Sequence, residues 1–252
     1  MHAIICPIVD VFMKKKEFNI ILYQKSLGIE VSNDDLKEMS EFNPHFICFP
    51  EYFFVNQSLG NHNQTIENQE YQISRIKHIS EVLQTVVIGG TMPEIEGENL
   101  FNTSFIFNRG EELGFYRKNH LFFAEEGKIT PGNKFEVFEA YGIIFSVIIC
   151  ADVFYDKSFL TMKELGAELI FSPTFSPYKK EKVESKFKRD TEIYVRGAEI
   201  MKAPIVKVCG VPSDYIPYIQ ARSLIAMPDK ILYRVKPEEE RKEMIIKQKV
   251  IL

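Results

Sequence analysis

Short apolar runs alternate with amphipathic stretches along this chain, and that alternation predicts an α/β order of elements. A strand is expected at 2 to 8, a helix near 33 to 42, a strand at 45 to 49, a helix at 65 to 84, and a strand over Val86-Val87-Ile88 before Gly89-Gly90. Within the helix at 65 to 84, Ile73, Ile76, Ile79, Val82 and Leu83 recur at spacings of three and four, which gathers them on one face toward a sheet. Asn102 to Phe107 and Glu112 to Tyr116 flank Asn108-Arg109-Gly110 and read as a hairpin.

The second half repeats the pattern. An apolar run from Ile143 to Ile149 leads into Cys150, followed by a helix near 157 to 165 and a strand from Glu168 to Pro173. A helix near 185 to 201, a strand from Ile205 to Val208, a segment Ser223 to Met227, a turn at Pro228-Asp229-Lys230 and an apolar strand near 244 to 251 complete the order. No repeat, low-complexity tract or composition break divides the chain. Residues 1–252 therefore read as a single domain whose sheets are covered on both faces.

Composition changes this picture only by exclusion. At 252 residues, 45% hydrophobic, the chain can build a full core, and its net charge of -4 offers no general basic surface for nucleic acid. Cys6, Cys48, Cys150 and Cys209 are far apart and form no Cys-x-x-Cys pair, which suits reduced thiols in a cytoplasmic protein. The N-terminus lacks a basic leader, and no apolar segment approaches the roughly 18 residues of a membrane span, so no membrane is expected as a partner. His2, His45, His62, His78 and His120 show no metal-ligand spacing, so neither a metal nor another cofactor is expected.

Two apolar runs end in reactive groups. His45 to Pro50 leads to Glu51, Ile143 to Ile149 leads to Cys150, and Tyr116-Arg117-Lys118-Asn119-His120-Leu121 lies between them. A free cysteine, with a pKa of roughly 8.5, needs a base before it can attack an amide carbonyl at neutral pH. Glu51 can serve if it is partly desolvated, because burial raises a carboxyl pKa. Lys118 would favour the thiolate by proximity and, with the Ala151 backbone N–H, donate to the oxyanion. Ligands in α/β proteins bind beyond the carboxyl ends of strands, where both Glu51 and Cys150 fall.

These residues resemble the nitrilase or carbon-nitrogen hydrolase superfamily. Phe49-Pro50-Glu51 is similar to its glutamate motif, Tyr116-Arg117-Lys118-Asn119-His120-Leu121-Phe122 to its lysine motif, and Ile148-Ile149-Cys150-Ala151-Asp152 to its nucleophile motif. Gly89-Gly90, Asn102-Thr103, Thr130-Pro131-Gly132-Asn133, Ser172-Pro173-Thr174-Phe175 and Arg196-Gly197-Ala198-Glu199 add to the match. The resemblance implies an α/β fold, a four-layer αββα sandwich of two mixed sheets, assembled as a homodimer or higher homo-oligomer. It implies a catalytic set of Glu51, Lys118 and Cys150 acting on a small-molecule amide or carbamoyl substrate and water. A second glutamate is implied after the lysine motif, at Glu125 or at the adjacent Glu126, to position Lys118 or substrate.

The departures are Ser146, where glycine is usual four residues before the nucleophile, Phe154-Tyr155-Asp156 after the aspartate, and Ile200 in place of asparagine. Ala151-Asp152 differs from the Trp-Glu of nitrile-cleaving relatives, which favours amides over nitriles. Hydrolysis of an N-carbamoyl amine or amino acid, acyl transfer to an amine, a Cys150–His120 pair of papain type, and a non-catalytic small-molecule binder remain alternatives. Cys6, Cys48 and Cys209 are expected in the core, Asp152 as a turn-holding residue, and Arg196 with Glu199 as a helical ion pair. The basic run from Lys179 to Arg189 reads as a solvated helix entry, and Phe122-Phe123 and Phe175-Ser176-Pro177-Tyr178 as pocket walls.

Overall fold

The computed structural model describes residues 15–55, 66–214 and 216–252, so the strand expected at 2 to 8 and Cys6 lie outside the described residues. The first half runs β1 (Glu17–Gln24), α1 (Asn33–Ser40), β2 (Phe46–Cys48), α2 (Gln69–Leu83), β3 (Val86–Ile88), β4 (Met92–Glu96), β5 (Asn99–Asn108) and β6 (Glu111–Arg117). The second half runs β7 (Val137–Ala140), β8 (Ile143–Val147), a 3-10 turn Cys150–Phe154, α3 (Asp156–Glu164), β9 (Leu169–Thr174), α4 (Val183–Met201) and β10 (Ile205–Cys209). β11 (Leu224–Ala226), β12 (Ile231–Arg234), a 3-10 turn Pro237–Glu239 and β13 (Met244–Ile251) close it.

Thirteen described strands form two mixed sheets. One has the order β13-β1-β2-β3-β5-β4 with β6 on the other edge of β5, and the other has the order β12-β11-β10-β9-β8-β7. Each is built on three neighbouring parallel strands, β1, β2 and β3 in the first and β8, β9 and β10 in the second, flanked by antiparallel ones. Strand alternation then sorts the side chains into layers. Ile20, Leu22, Phe46 and Cys48 of the first sheet meet Phe145, Val147, Leu169, Phe171, Val206 and Val208 of the second in one core. The alternate residues Ile21, Tyr23, Ile47 and Val87 face outward and pack with Ile76 and Ile79 of α2 and Met39 of α1. Ile170 and Ile205 face the opposite way, against Phe159 and Met162 of α3 and Tyr194, Ala198 and Met201 of α4. The order of layers is helix, sheet, sheet, helix.

Four strands, β1, β4, β7 and β12, are absent from the sequence expectation. β7 and β12 are terminal strands of the second sheet and β4 of the first, and such edges carry weak apolar patterns because one side of each faces water. β1 is nearly continuous in burial, but it opens on Glu17 directly after Lys14-Lys15-Lys16, and this polar run masks its start. The run after Ile143 leaves strand geometry at Val147, and Cys150 opens the following 3-10 turn. Among the described residues no helix is long and apolar enough to cross a membrane.

Two details of the outer layer correct the sequence expectation. Arg196 pairs with Asp156 of α3 rather than with Glu199, because α3 packs alongside α4 and brings the carboxylate into reach. The basic run is solvated only in part: Lys186 is buried and donates to Gln220 Oε1 at 2.8 Å and Glu240 Oε2 at 2.9 Å. One turn further on, buried Asp190 accepts from Lys207 Nζ of β10 at 3.3 Å and Arg222 Nε at 2.9 Å. Burial alone would raise the Asp190 pKa, but the Lys207 and Arg222 charges outweigh it and hold the carboxyl below its ordinary value.

Removing one partner of a buried ion cluster leaves the others charged and unpaired, which typically costs about 3–5 kcal/mol. Asp190→Ala is therefore expected to lower the unfolding free energy by that amount, read as a lower urea midpoint at an unchanged m-value; an unaltered midpoint would contradict the burial of Lys207 and Arg222 around it. Gly90 sits at φ +59, and a Cβ there would lie 2.1 Å from the carbonyl oxygen of Pro50. Gly90→Ala is expected to cost about 1–3 kcal/mol through strain and displacement of the Pro50-Glu51 backbone, read by thermal unfolding.

Candidate active site

Glu51, Lys118 and Cys150 meet where the two sheets join. Glu51 follows β2, Lys118 follows β6, Cys150 follows β8, and Phe175 follows β9, so strand ends of both sheets contribute. Tyr52 and Cys150 have positive φ, 61° and 44°, at a cost a non-glycine residue bears only where surrounding contacts impose it.

Lys118 is the centre. Its side chain is 2% exposed, and its ammonium donates to Glu51 Oε1 at 2.8 Å and to Glu125 Oε2 at 2.6 Å. Two of its three N–H bonds are used by these carboxylates. Glu125, not the exposed Glu126, is the second carboxylate on Lys118. Every acceptor position of Glu125 is filled: Tyr52 OH at 2.8 Å and Asn102 Nδ2 at 3.1 Å reach Oε1, while Lys118 Nζ and the Phe122 N–H at 2.8 Å reach Oε2.

Glu51 is filled differently. Oε1 accepts from Lys118 and from Asn102 Nδ2 at 2.9 Å, and Oε2 accepts from the Phe175 N–H at 2.7 Å. One acceptor position on Oε2 is left, and Glu51 lies near enough to the Cys150 thiol for its charge to raise the thiol pKa. The Phe175 peptide also meets Cys150, whose thiol donates to Phe175 O at 3.5 Å. One peptide unit thus spaces the carboxylate and the thiol.

Charge and burial compete at each group. Burial raises the Glu51 pKa, Lys118 opposes it, Glu125 adds to it, and the net shift is upward. Burial pulls the Lys118 pKa down, but the charges of Glu51, Cys150 and Glu125 more than offset it and keep the ammonium protonated. Burial pushes Glu125 up and Lys118 outweighs it, so Glu125 titrates below the ordinary range. For Cys150, burial and then the Glu51 charge push the thiol pKa well up, and Lys118 only reduces the rise. Lys118 favours the thiolate by charge, as its proximity leads one to expect, but desolvation and the anion of Glu51 outweigh it, and the thiol rests protonated.

Asp152 fastens the nucleophile turn of one sheet to the lysine segment of the other. Its Oδ2 accepts from the Ile149 N–H and from Tyr116 OH, both at 2.8 Å, and its Oδ1 from the His120 N–H at 2.8 Å, with His120 Nδ1 at 2.9 Å. His120 also stacks on Tyr155 at 3.9 Å, and among the described residues no hydrogen bond joins it to Cys150. Gly132 donates its N–H to Lys118 O at 2.7 Å, and a Cβ there would lie 2.4 Å from Arg117 O, which accounts for a glycine in Thr130-Pro131-Gly132-Asn133.

The departures from the family pattern find local partners. Ser146 Oγ donates to Glu136 O at 2.7 Å beneath Met162, Tyr155 carries the His120 stack, and Ile200 packs into the outer core. Cys48 and Cys209 are buried. Of the expected walls, Phe123 and Tyr178 are exposed, whereas Phe175 contacts the rings of Tyr52 and Tyr218, each at 6.3 Å. Tyr52, Asn102 and the Phe175 peptide join the cluster without having been expected in it; Asn102 carried a family signal in Asn102-Thr103, and Phe175 acts through backbone, which leaves no residue-type signal. Among the described residues no group of three or more His, Cys, Asp or Glu is arranged to hold a metal ion.

Comparison with known proteins adds a family. Nitrilase homolog 2 of Dictyostelium discoideum is 26% identical over 59% of this chain and 49% of its own length. The glutamine-dependent NAD(+) synthetase of Acinetobacter baylyi is 26% identical over 71% of this chain and 35% of its own length, and omega-amidase NIT2 of Xenopus tropicalis 25% over 65% of each. The matched segments thus span from about a third to just under two thirds of those relatives. Among solved structures, Saccharomyces cerevisiae Nit3 superposes with a TM-score of 0.72 at 19% identity, covering 92% of this chain and 89% of that one. An amidase from Nesterenkonia sp. superposes with a TM-score of 0.75 at 18% identity, covering 93% and 90%. These share the αββα sandwich, and the carbon-nitrogen hydrolase family model matches residues 30–247, so the chain belongs to the carbon-nitrogen hydrolase family.

Proposed function

We propose that this protein hydrolyses the C–N bond of a small, non-peptide amide through a thioester on Cys150. The observation that carries the reading is the carboxylate of Glu51, which accepts from the Lys118 ammonium and from the Phe175 N–H, the peptide whose carbonyl takes the Cys150 thiol. A carboxylate whose pKa is raised, beside a thiol whose pKa is also raised, is arranged to take the proton during attack rather than before it.

As the Cys150 Sγ–carbon bond forms, the thiol proton passes to Glu51 Oε2, the oxygen with an acceptor position left. The oxyanion receives the third N–H of Lys118 and the Ala151 backbone N–H. Glu51 then returns the proton to the departing nitrogen, the C–N bond breaks, and ammonia or an amine leaves. Water attacks the thioester with Glu51 again as base, and the acid is released with the thiol restored. Glu125, with four donors on its two oxygens, holds Lys118 and its charge in place and takes no proton.

Support for an amide over other substrates also comes from relatives named omega-amidase and from a neighbouring amidase described in complex with butyramide. The test is ammonia or amine release from a panel of short aliphatic amides, ω-amides of dicarboxylic acids and N-carbamoyl amines. Cys150→Ala is expected to abolish release, Glu51→Gln to lower kcat by about 10²–10⁴, and Lys118→Ala by about 10²–10³. Retained turnover in Cys150→Ala, or a wild-type protein inert to the whole panel, would remove the reading.

The pH profile separates the two glutamates. Because Glu51 must be ionised to act and its folded pKa is raised, the acid limb of kcat/KM is expected above the ordinary glutamate value of 4.5. The Glu125 charge contributes to that rise, so Glu125→Gln is expected to move the limb to lower pH while lowering kcat. A limb that moves upward in Glu125→Gln would show that Glu125 does not act on Glu51 by charge.

A further inference from the structure

Asn102 lies on β5, fully buried, and its side-chain amide is a neutral member of the cluster that bridges both carboxylates. Its Nδ2 donates one N–H to Glu51 Oε1 at 2.9 Å and the other to Glu125 Oε1 at 3.1 Å. Its backbone carbonyl accepts from the Lys118 N–H at 2.9 Å, so the same residue holds the lysine's main chain and both carboxylates that hold the lysine's ammonium. Asn102 Oδ1 is buried without a partner, a cost the structure accepts in order to aim both N–H bonds at the carboxylates. The reverse orientation would set the amide oxygen against two anions.

We propose that Asn102 is a positioning residue of the reaction: by occupying Glu51 Oε1 together with Lys118, it leaves Oε2 as the only oxygen able to take the Cys150 proton. The inference rests on the amidase reading for its consequence, though not for its geometry. Four groups besides Asn102 face Glu51: the Lys118 ammonium after β6, the Glu125 carboxylate, the Cys150 thiol and the Phe175 N–H, with the Tyr52 phenol adjacent through Glu125. Lys118 fills one acceptor position on Oε1, and without Asn102 the second lies open. The proton is then shared between two oxygens, of which only one has the thiol's partner peptide, Phe175, beside it.

Withdrawing a donor from a carboxylate also raises its pKa, because the ionised form loses a hydrogen bond it had. The loss of one charged hydrogen bond corresponds to about one pH unit. Asn102→Ala and the more conservative Asn102→Ser are compared with the wild-type protein in the pH profile of kcat/KM for the amide turned over fastest. The same proteins are followed for the pH midpoint of Cys150 alkylation by iodoacetamide, with thermal unfolding recorded for each.

In whichever variant folds, both acid midpoints are expected to move up by about one pH unit, with kcat reduced about tenfold or more and KM within about two-fold. A uniform loss of rate at unchanged midpoints, or a change confined to KM or to thermal unfolding, would mean that Asn102 is structural only and would overturn the inference. The alkylation midpoint needs no substrate. If the wild-type protein turns over none of the amides, the amidase reading fails, while the midpoint still decides whether Asn102 acts on Glu51.

Discussion

A buried ammonium clasped by two carboxylates is the interaction on which the rest depends. Burying Lys118, Glu51 and Glu125 together withdraws three charges from water, and such clusters contribute little to stability once desolvation is counted. The arrangement makes sense as chemistry. Lys118 stays charged because both carboxylates surround it, Glu125 stays charged because four donors saturate it, and Glu51 is left as the member whose proton affinity is raised. The cluster stores no resting thiolate. In the proposed reaction it sets a base beside a neutral thiol and keeps a cation for the oxygen that becomes negative when the thiol attacks.

The two sheets exist, functionally, to hold that cluster together. Glu51 and Lys118 leave the first sheet, Cys150 and Phe175 leave the second, and a shared apolar core fixes the sheets against each other. Two polar clasps then set the spacing at finer scale. Asp152 joins the turn at Ile149 to Tyr116 and His120, and the Phe175 peptide lies between Glu51 and Cys150. Both work at strand ends, where backbone N–H groups are no longer used by the sheets.

Much of this was legible in the residues. Alternating apolar runs and amphipathic stretches predicted an α/β order of elements, the family resemblance implied the four layers, and three ordered motifs pointed to Glu51, Lys118 and Cys150, because the proposed nucleophile and its helpers must be particular residue types. Glu125 was narrowed to two neighbours, and only the turn that brings its N-terminal side to Phe122 separates it from Glu126. What stayed hidden depends on long-range approach. Asn102 is an ordinary strand residue until β5 brings it against two distant carboxylates, and Phe175 acts through its peptide, which every residue has. Lys186 and Arg196 look like surface charges until Glu240 and Asp156 meet them from other elements. The pull of Lys118 on the thiol was legible from an ammonium nearby, but the burial that outweighs it was not.

The central claim is that Glu51, Lys118 and Cys150 titrate as one site, and the pH dependence of iodoacetamide labelling at each cysteine, read by mass spectrometry, tests it most directly. The account predicts that Cys150 labels far faster than buried Cys48 and Cys209, and that its profile changes in both Glu51→Gln and Lys118→Ala. Labelling of Cys150 no faster than that of the buried cysteines, with a profile indifferent to both substitutions, would contradict it.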